Sequence, residues 1–70
     1  MFRVPIMSSN LSTVGYDVAS QTLEIEFHDG GVYQYFGVPE YVHSGLMRAS
    51  SPGSYFYNHI RDRYRYRRIR

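Results

Sequence analysis

Leu23, Ile25 and Phe27 alternate with Glu24, Glu26 and His28, and Asp29-Gly30-Gly31 follows at once. A period of two puts the apolar side chains on one face and the polar ones on the other, as in a strand with one buried and one wet face. The glycines then reverse the chain, because glycine accepts the positive φ that tight hairpins demand. Val32-Tyr33-Gln34-Tyr35-Phe36 returns as a β-branched and aromatic strand.

The hairpin has two registers. A two-residue turn at Asp29-Gly30 sets Phe27 opposite Val32, carries the apolar face through Gln34 and Phe36, and leaves Tyr33 and Tyr35 outside. A three-residue loop with a glycine bulge sets Ile25 opposite Tyr33 and Leu23 opposite Tyr35. The second is favoured because it avoids burying Gln34. There the tyrosines support the core with their hydroxyls at its rim. In the first they form an exposed stacking platform of the kind that single-stranded RNA binders use.

Before the hairpin, Val14, Tyr16 and Val18 recur at alternate positions within Leu11 to Val18, and Asp17 to Gln21 has the composition of a turn. After Gly37 the period changes. Val38-Pro39-Glu40 opens a helix, with proline at the first helical position and an acidic residue at the positive end of the dipole. Val42, Leu46 and Ala49 follow at helical spacing with Met47 beside them, and the helix stops near Ser50. Ser51-Pro52 starts a second helix, carrying Phe56 and Ile60 to about Arg61. Neither helix is long enough to stand alone, so both must pack on the sheet. The expected fold class is α+β: a small two-layer domain, a three-stranded antiparallel meander followed by two short helices and an extended basic C-terminal segment. Leu23, Ile25, Phe27, Leu46, Phe56 and Ile60 should share one core.

Seventy residues allow a single domain, 1–70. A chain this short buries only about 60% of its unfolded surface, so the eight tyrosines and four phenylalanines matter to stability. There is no cysteine, hence no disulfide or thiolate metal site, which suits the reducing cytoplasm. No apolar run approaches the ~18 residues of a membrane span, and Met1 to Met7 breaks into Ser8-Ser9-Asn10 before forming a signal-peptide core. A soluble cytoplasmic protein is expected.

The charge is concentrated at one end. Residues 61–70 hold six arginines and one aspartate, a net of +5, while residues 1–60 hold Arg3 and Arg48 against five carboxylates, a net of −3. In that terminus arginine alternates with tyrosine: Arg61, Arg63, Tyr64, Arg65, Tyr66, Arg67, Arg68. Guanidinium offers fixed charge and a planar donor fork for phosphate, and a phenol ring offers a face for an unpaired base. The pattern also suits an extended strand, with Tyr64 and Tyr66 on one face and Arg63, Arg65 and Arg67 on the other.

Ser9-Asn10, Gly15-Tyr16-Asp17, Leu23 to Phe27, the glycine hairpin, Tyr33-Gln34-Tyr35 with Val38-Pro39, Ser51-Pro52-Gly53-Ser54-Tyr55-Phe56 and Tyr66 to Ile69 occur in this order. In order and spacing they resemble the KTSC domain over residues 8–69, with Tyr33 and Tyr35 as the central motif. The resemblance implies a small bacterial or phage-type protein of unknown function, related to a domain at the C-terminus of some lysyl-tRNA synthetases. It also implies RNA binding, proposed for the family from that connection.

Catalytic patterns are weak. His28, His43 and His59 lack metal-ligand spacing, and are expected on the wet strand face and on helix surfaces. The serines sit where caps and turns use them, and Asp29-Gly30-Gly31 lacks the other glycines of a phosphate loop. The expected protein is not an enzyme and uses no cofactor, metal or small-molecule substrate. Two functions remain: an RNA-binding module acting through the Arg/Tyr terminus, or a protein-interaction or self-association module using that segment as a sheet edge.

Overall fold

In the computed structural model, which describes residues 1–70, the chain reverses after Phe27 through the loop His28-Asp29-Gly30. Phe27 N–H donates to Gly31 O and Gly30 N–H to Phe27 O, both at 2.9 Å. Gly30 takes φ +95°, a conformation that a Cβ would disfavour, and Asp29 Oδ1 accepts from Gly31 N–H at 2.9 Å. This is the three-residue loop with its bulge. Leu23 accordingly faces Tyr35 and Ile25 faces Tyr33, which settles the register in favour of buried rings: Tyr35 is buried and Tyr33 half-buried.

The elements are β1 (Val4–Pro5), β2 (Leu11–Asp17), β3 (Thr22–Phe27), β4 (Val32–Tyr35), α1 (Glu40–Arg48), α2 (Pro52–His59) and β5 (Tyr66–Arg68). The expected three-stranded meander is the centre of a five-stranded antiparallel sheet in the order β1-β2-β3-β4-β5, with both helices inserted between β4 and β5. β1 escapes a pattern search because two residues cannot display a period. Val18 lies in the turn after β2 and is 60% exposed. At the start of β2 the register slips around Ser12. The extra residue brings both Leu11 and Val14 to the core face, where each is buried.

The helices cover one face of the sheet. Leu23, Ile25, Leu46, Phe56 and Ile60 join Leu11, Val14, Tyr35, Val38 and Val42 in the core, while Phe27 is half-buried at its margin. Pro39 sits at the N-cap of α1 rather than inside it. Ser51 Oγ caps α2 by accepting from Ser54 N–H at 3.4 Å, with Pro52 at the first helical position. Gly45 of α1 lets the helices approach closely, since a Cβ there would meet the Tyr55 hydroxyl and lie 2.7 Å from its Cζ.

The opposite face, expected wet, is partly closed by a polar network. Glu24 is buried; Arg3 forms an ion pair with it, and Gln34 Nε2 donates to its Oε1 at 2.9 Å. Arg3 Nε also donates to Thr13 Oγ1 (2.9 Å), which donates to Glu26 Oε1 (3.0 Å). Burial alone would raise the Glu24 pKa, but the hydrogen bonds from Gln34 and Arg3 and the nearby positive charge outweigh it and hold the carboxyl below its ordinary value.

Candidate functional site

β5 is shorter than the alternation of its sequence predicts. Residues 60–63 form a turn in which Arg63 N–H donates to Ile60 O at 3.0 Å and Asp62 adopts φ +62°. Sheet pairing resumes where Phe36 N–H donates to Arg65 O at 2.9 Å. Tyr66 then lies opposite Tyr35, and Arg68 opposite Tyr33. The reason is that Ile60 is anchored in the core, so the chain must turn before it can reach the edge of β4.

That turn divides the Arg/Tyr segment. Tyr64 is half-buried against the core, near the hydroxyls of Tyr41 and Tyr55, and burial raises its pKa. It precedes β5 and so is not on a strand with Tyr66, a residue that is 58% exposed. Arg67 Nη2 donates to Gln34 Oε1 at 3.3 Å on the polar face, and Arg70 pairs with Glu26 at 2.9 Å. The Arg68 guanidinium lies over the Tyr33 ring, 5.6 Å from its centroid, and Arg61 lies 5.4 Å from that of Tyr57. The side chains of Arg63 and Arg65 are exposed and make no hydrogen bond or ion pair. They line a shallow depression with Phe36, Asp62, Tyr64 and Tyr66.

Across Tyr66 from that depression lies an open cleft of ≈ 390 Å³ between the β3–β4 loop, α2 and the residue 60–63 turn. Tyr33, Tyr35 and Tyr66 form its floor. Their centroids are 6.4 Å apart for Tyr33–Tyr35, 5.9 Å for Tyr33–Tyr66 and 5.8 Å for Tyr35–Tyr66. Phe27 and Phe56 meet these rings edge-on, at 5.6 Å from Tyr33 and 5.5 Å from Tyr35. Asn10, Asp29, Arg61 and Asp62 give the cleft its polar groups. Every fully buried side-chain polar atom has a hydrogen-bond partner, and the Tyr35 hydroxyl has none, so that hydroxyl opens into the cleft. Burial of its ring, reinforced by Tyr33, Tyr66 and Asp62 and opposed by Arg61, pushes the Tyr35 pKa up to about 12.

The sequence singled out Tyr33, Tyr35 and Tyr66, but not the ring wall of Phe27, Phe56 and Tyr57 or the polar groups Asn10, Asp29 and Asp62. Those come together only through the fold, and Asp29 reads locally as a turn residue. His28 lies in the hairpin loop rather than on the wet face of β3, while His43 and His59 lie on α1 and α2. His43 is half-buried rather than on an open helix surface, stacked on Tyr16 with centroids 4.6 Å apart. No group of three or more His, Cys, Asp or Glu is placed to hold a metal ion, and no helix is long and apolar enough to cross a membrane.

A model of the KTSC domain matches residues 7–64. The chain belongs to the KTSC domain family. The crystal structure of a KTSC domain protein from Yersinia pestis shares its fold with a TM-score of 0.96 at 40% identity, covering 99% of this chain and 97% of that one. An uncharacterized protein from Stutzerimonas stutzeri is 43% identical over 70 residues, 99% of each chain. A lysine–tRNA ligase from Trichormus variabilis is 41% identical over 54 residues, 77% of this chain but only 10% of the ligase. The KTSC match takes in Tyr33, Tyr35, Phe56 and Asp62 and ends before β5, so much of the cleft lies inside the family-defined region and Tyr66 to Arg70 outside it.

Proposed function

We propose that this KTSC domain is a non-catalytic module that binds single-stranded RNA, with an unpaired base in the tyrosine-floored cleft and adjoining phosphates on Arg63 and Arg65 beside it. The observation that carries this reading is the placement of Tyr66. Its exposed ring stands between the aromatic cleft and the depression flanked by Arg63 and Arg65, so one strand could stack a base and neutralise its backbone across a single residue. Base–aromatic stacking contributes about 1–3 kcal/mol per base, and guanidinium suits phosphate. The similarity to part of a lysine–tRNA ligase is compatible with an RNA partner, while the matched segment is only 10% of the ligase, whose own activity is not carried over. An RNA partner and a cysteine-free chain both suit the cytoplasm.

The test is binding of a labelled single-stranded decamer, with the corresponding duplex as control, at several salt concentrations. Preference for the single strand and a log–log salt slope of about −0.7 per phosphate contact support the reading. Equal affinity for the duplex contradicts a stacking site. One observation favours a second reading: β5 is an edge strand, so a partner strand or a second copy could add to it. Its three-residue length and flanking arginines are the usual means of discouraging that association. Binding that is insensitive to salt would favour it.

A further inference from the structure

The cleft sets two carboxylates against one guanidinium, the wrong balance for a phosphate site. Asp29 and Asp62 line it next to the most basic stretch of the chain, and neither forms an ion pair; the pairs in this protein are Arg3–Glu24 and Arg70–Glu26. Asp29 Oδ1 is engaged by Gly31 N–H. Asp62 accepts no side-chain hydrogen bond, and its backbone is held at φ +62° by the turn, a conformation in which aspartate is enriched among non-glycine residues. A carboxylate held there would repel a phosphate from the cleft, whereas on the depression that Asp62 also lines it is outweighed by Arg63 and Arg65. It would accept N–H donors from the edge of a base.

We propose that the cleft is a pocket for one unpaired guanine, its ring stacked on Tyr66, its N1–H and 2-amino donors taken by the Asp62 carboxylate and its O6 and N7 acceptors by Arg61. The inference rests on the RNA reading above and names the base it prefers. Guanine alone among the four bases offers two adjacent donors on its Watson–Crick edge, which match the two oxygens of a carboxylate. It also offers the O6/N7 acceptor pair that a guanidinium engages in bidentate fashion. Adenine and cytosine set an acceptor nitrogen beside their amino group, and uracil flanks its single N–H with two carbonyls, so each would present lone pairs to Asp62. Arg61 and Asp62 are consecutive and both line the cleft, and the fields of both reach the Tyr35 hydroxyl on its floor. The cleft volume of ≈ 390 Å³ falls in the lower part of the range of ligand pockets, about 300–1,000 Å³. A cationic peptide would also suit rings and carboxylates, but the unpaired arginines Arg63 and Arg65 beside the cleft oppose it.

The experiment uses the full chain and four labelled decamers of uridine that differ only in one central position, read by fluorescence anisotropy. The guanine decamer should bind roughly tenfold tighter than the adenine, cytosine and all-uridine ones. Inosine at that position deletes only the 2-amino donor and should remove most of the preference. Asp62→Asn keeps a residue that tolerates the left-handed backbone, yet presents one donor in place of an acceptor; it should abolish the guanine preference, so that the guanine and all-uridine decamers bind the variant equally. If the four decamers bind equally, the guanine pocket is wrong and the RNA reading stands. If none binds, or a basic peptide binds in their place, both fall.

Discussion

The Tyr35 ring meets the Phe56 ring edge-on, with centroids 5.5 Å apart and planes at 75°. The contact joins β4 to α2, so the same side chain that floors the cleft also ties the two layers together. Only 5% of Tyr35 is exposed. Tyr35→Ala should therefore destabilise the domain by about 3 kcal/mol, a large share of the stability of so small a protein. Tyr35→Phe removes a hydroxyl that has no intramolecular partner and should change stability by less than about 0.5 kcal/mol. Urea unfolding of the two variants checks the pair of expectations, and equal losses would place the hydroxyl in a hydrogen bond.

The Tyr35 ionisation supplies a pH test. Its pKa in the folded chain is about 12, against about 10 in an unfolded one. The folded state thus binds the proton more tightly, and the stability linked to it is fully present below pH about 10 and is lost as pH rises through about 12. Ultraviolet titration should show a late tyrosinate step that is missing in Tyr35→Phe. Loss of that step without a change in the alkaline unfolding curve would break the linkage.

His43 behaves in the opposite sense. Burial beneath the stacked Tyr16 lowers its pKa, while Glu40 acts weakly the other way. The unfolded state therefore takes up the proton first, so the stability linked to His43 is present above pH about 6.5 and declines as pH falls below it. Proton NMR of the imidazole should place its midpoint below the ordinary histidine value of about 6.5. A midpoint above it would mean that Glu40 dominates over burial.

Gly45 makes a steric prediction. In an open helix Gly→Ala would stabilise by about 1 kcal/mol, but here the added Cβ would run into the Tyr55 ring. Gly45→Ala should lower stability by about 1 kcal/mol or more through overpacking between α1 and α2. In a Tyr55→Leu background the same substitution should become neutral or favourable. A double-mutant cycle on unfolding midpoints reads the coupling.

The centre of the fold was legible because its signals are local. The alternation of Leu23, Ile25 and Phe27, the glycine loop and the Ser51-Pro52 cap each specify their own structure within a few residues. The bulged register followed from asking where Gln34 could go. The outer strands were not legible: β1 has no period to read, and the Arg61 to Arg70 alternation is interrupted by a turn that depends on Ile60 being seated in the core. The polar face failed for a related reason. Glu24 reads as exposed by alternation and becomes buried only because Arg3, twenty-one positions away, crosses over it. In the candidate site, chemistry carried by residue type was visible in Tyr33, Tyr35 and Tyr66, whereas Asp29 and Asp62 look like ordinary turn residues until the hairpin loop and the residue 60–63 turn are brought together.

Replacing Arg63 and Arg65 together by glutamine offers the most direct test of RNA binding. Neither side chain has an intramolecular partner, so the unfolding curve should match that of the parent. The salt slope for a single-stranded decamer should shrink by roughly 1.4, two contacts at about 0.7 each, with a matching loss of affinity at low salt. An unchanged slope and affinity, accompanied by loss of self-association or of a protein partner, would contradict RNA binding and make β5 an assembly edge.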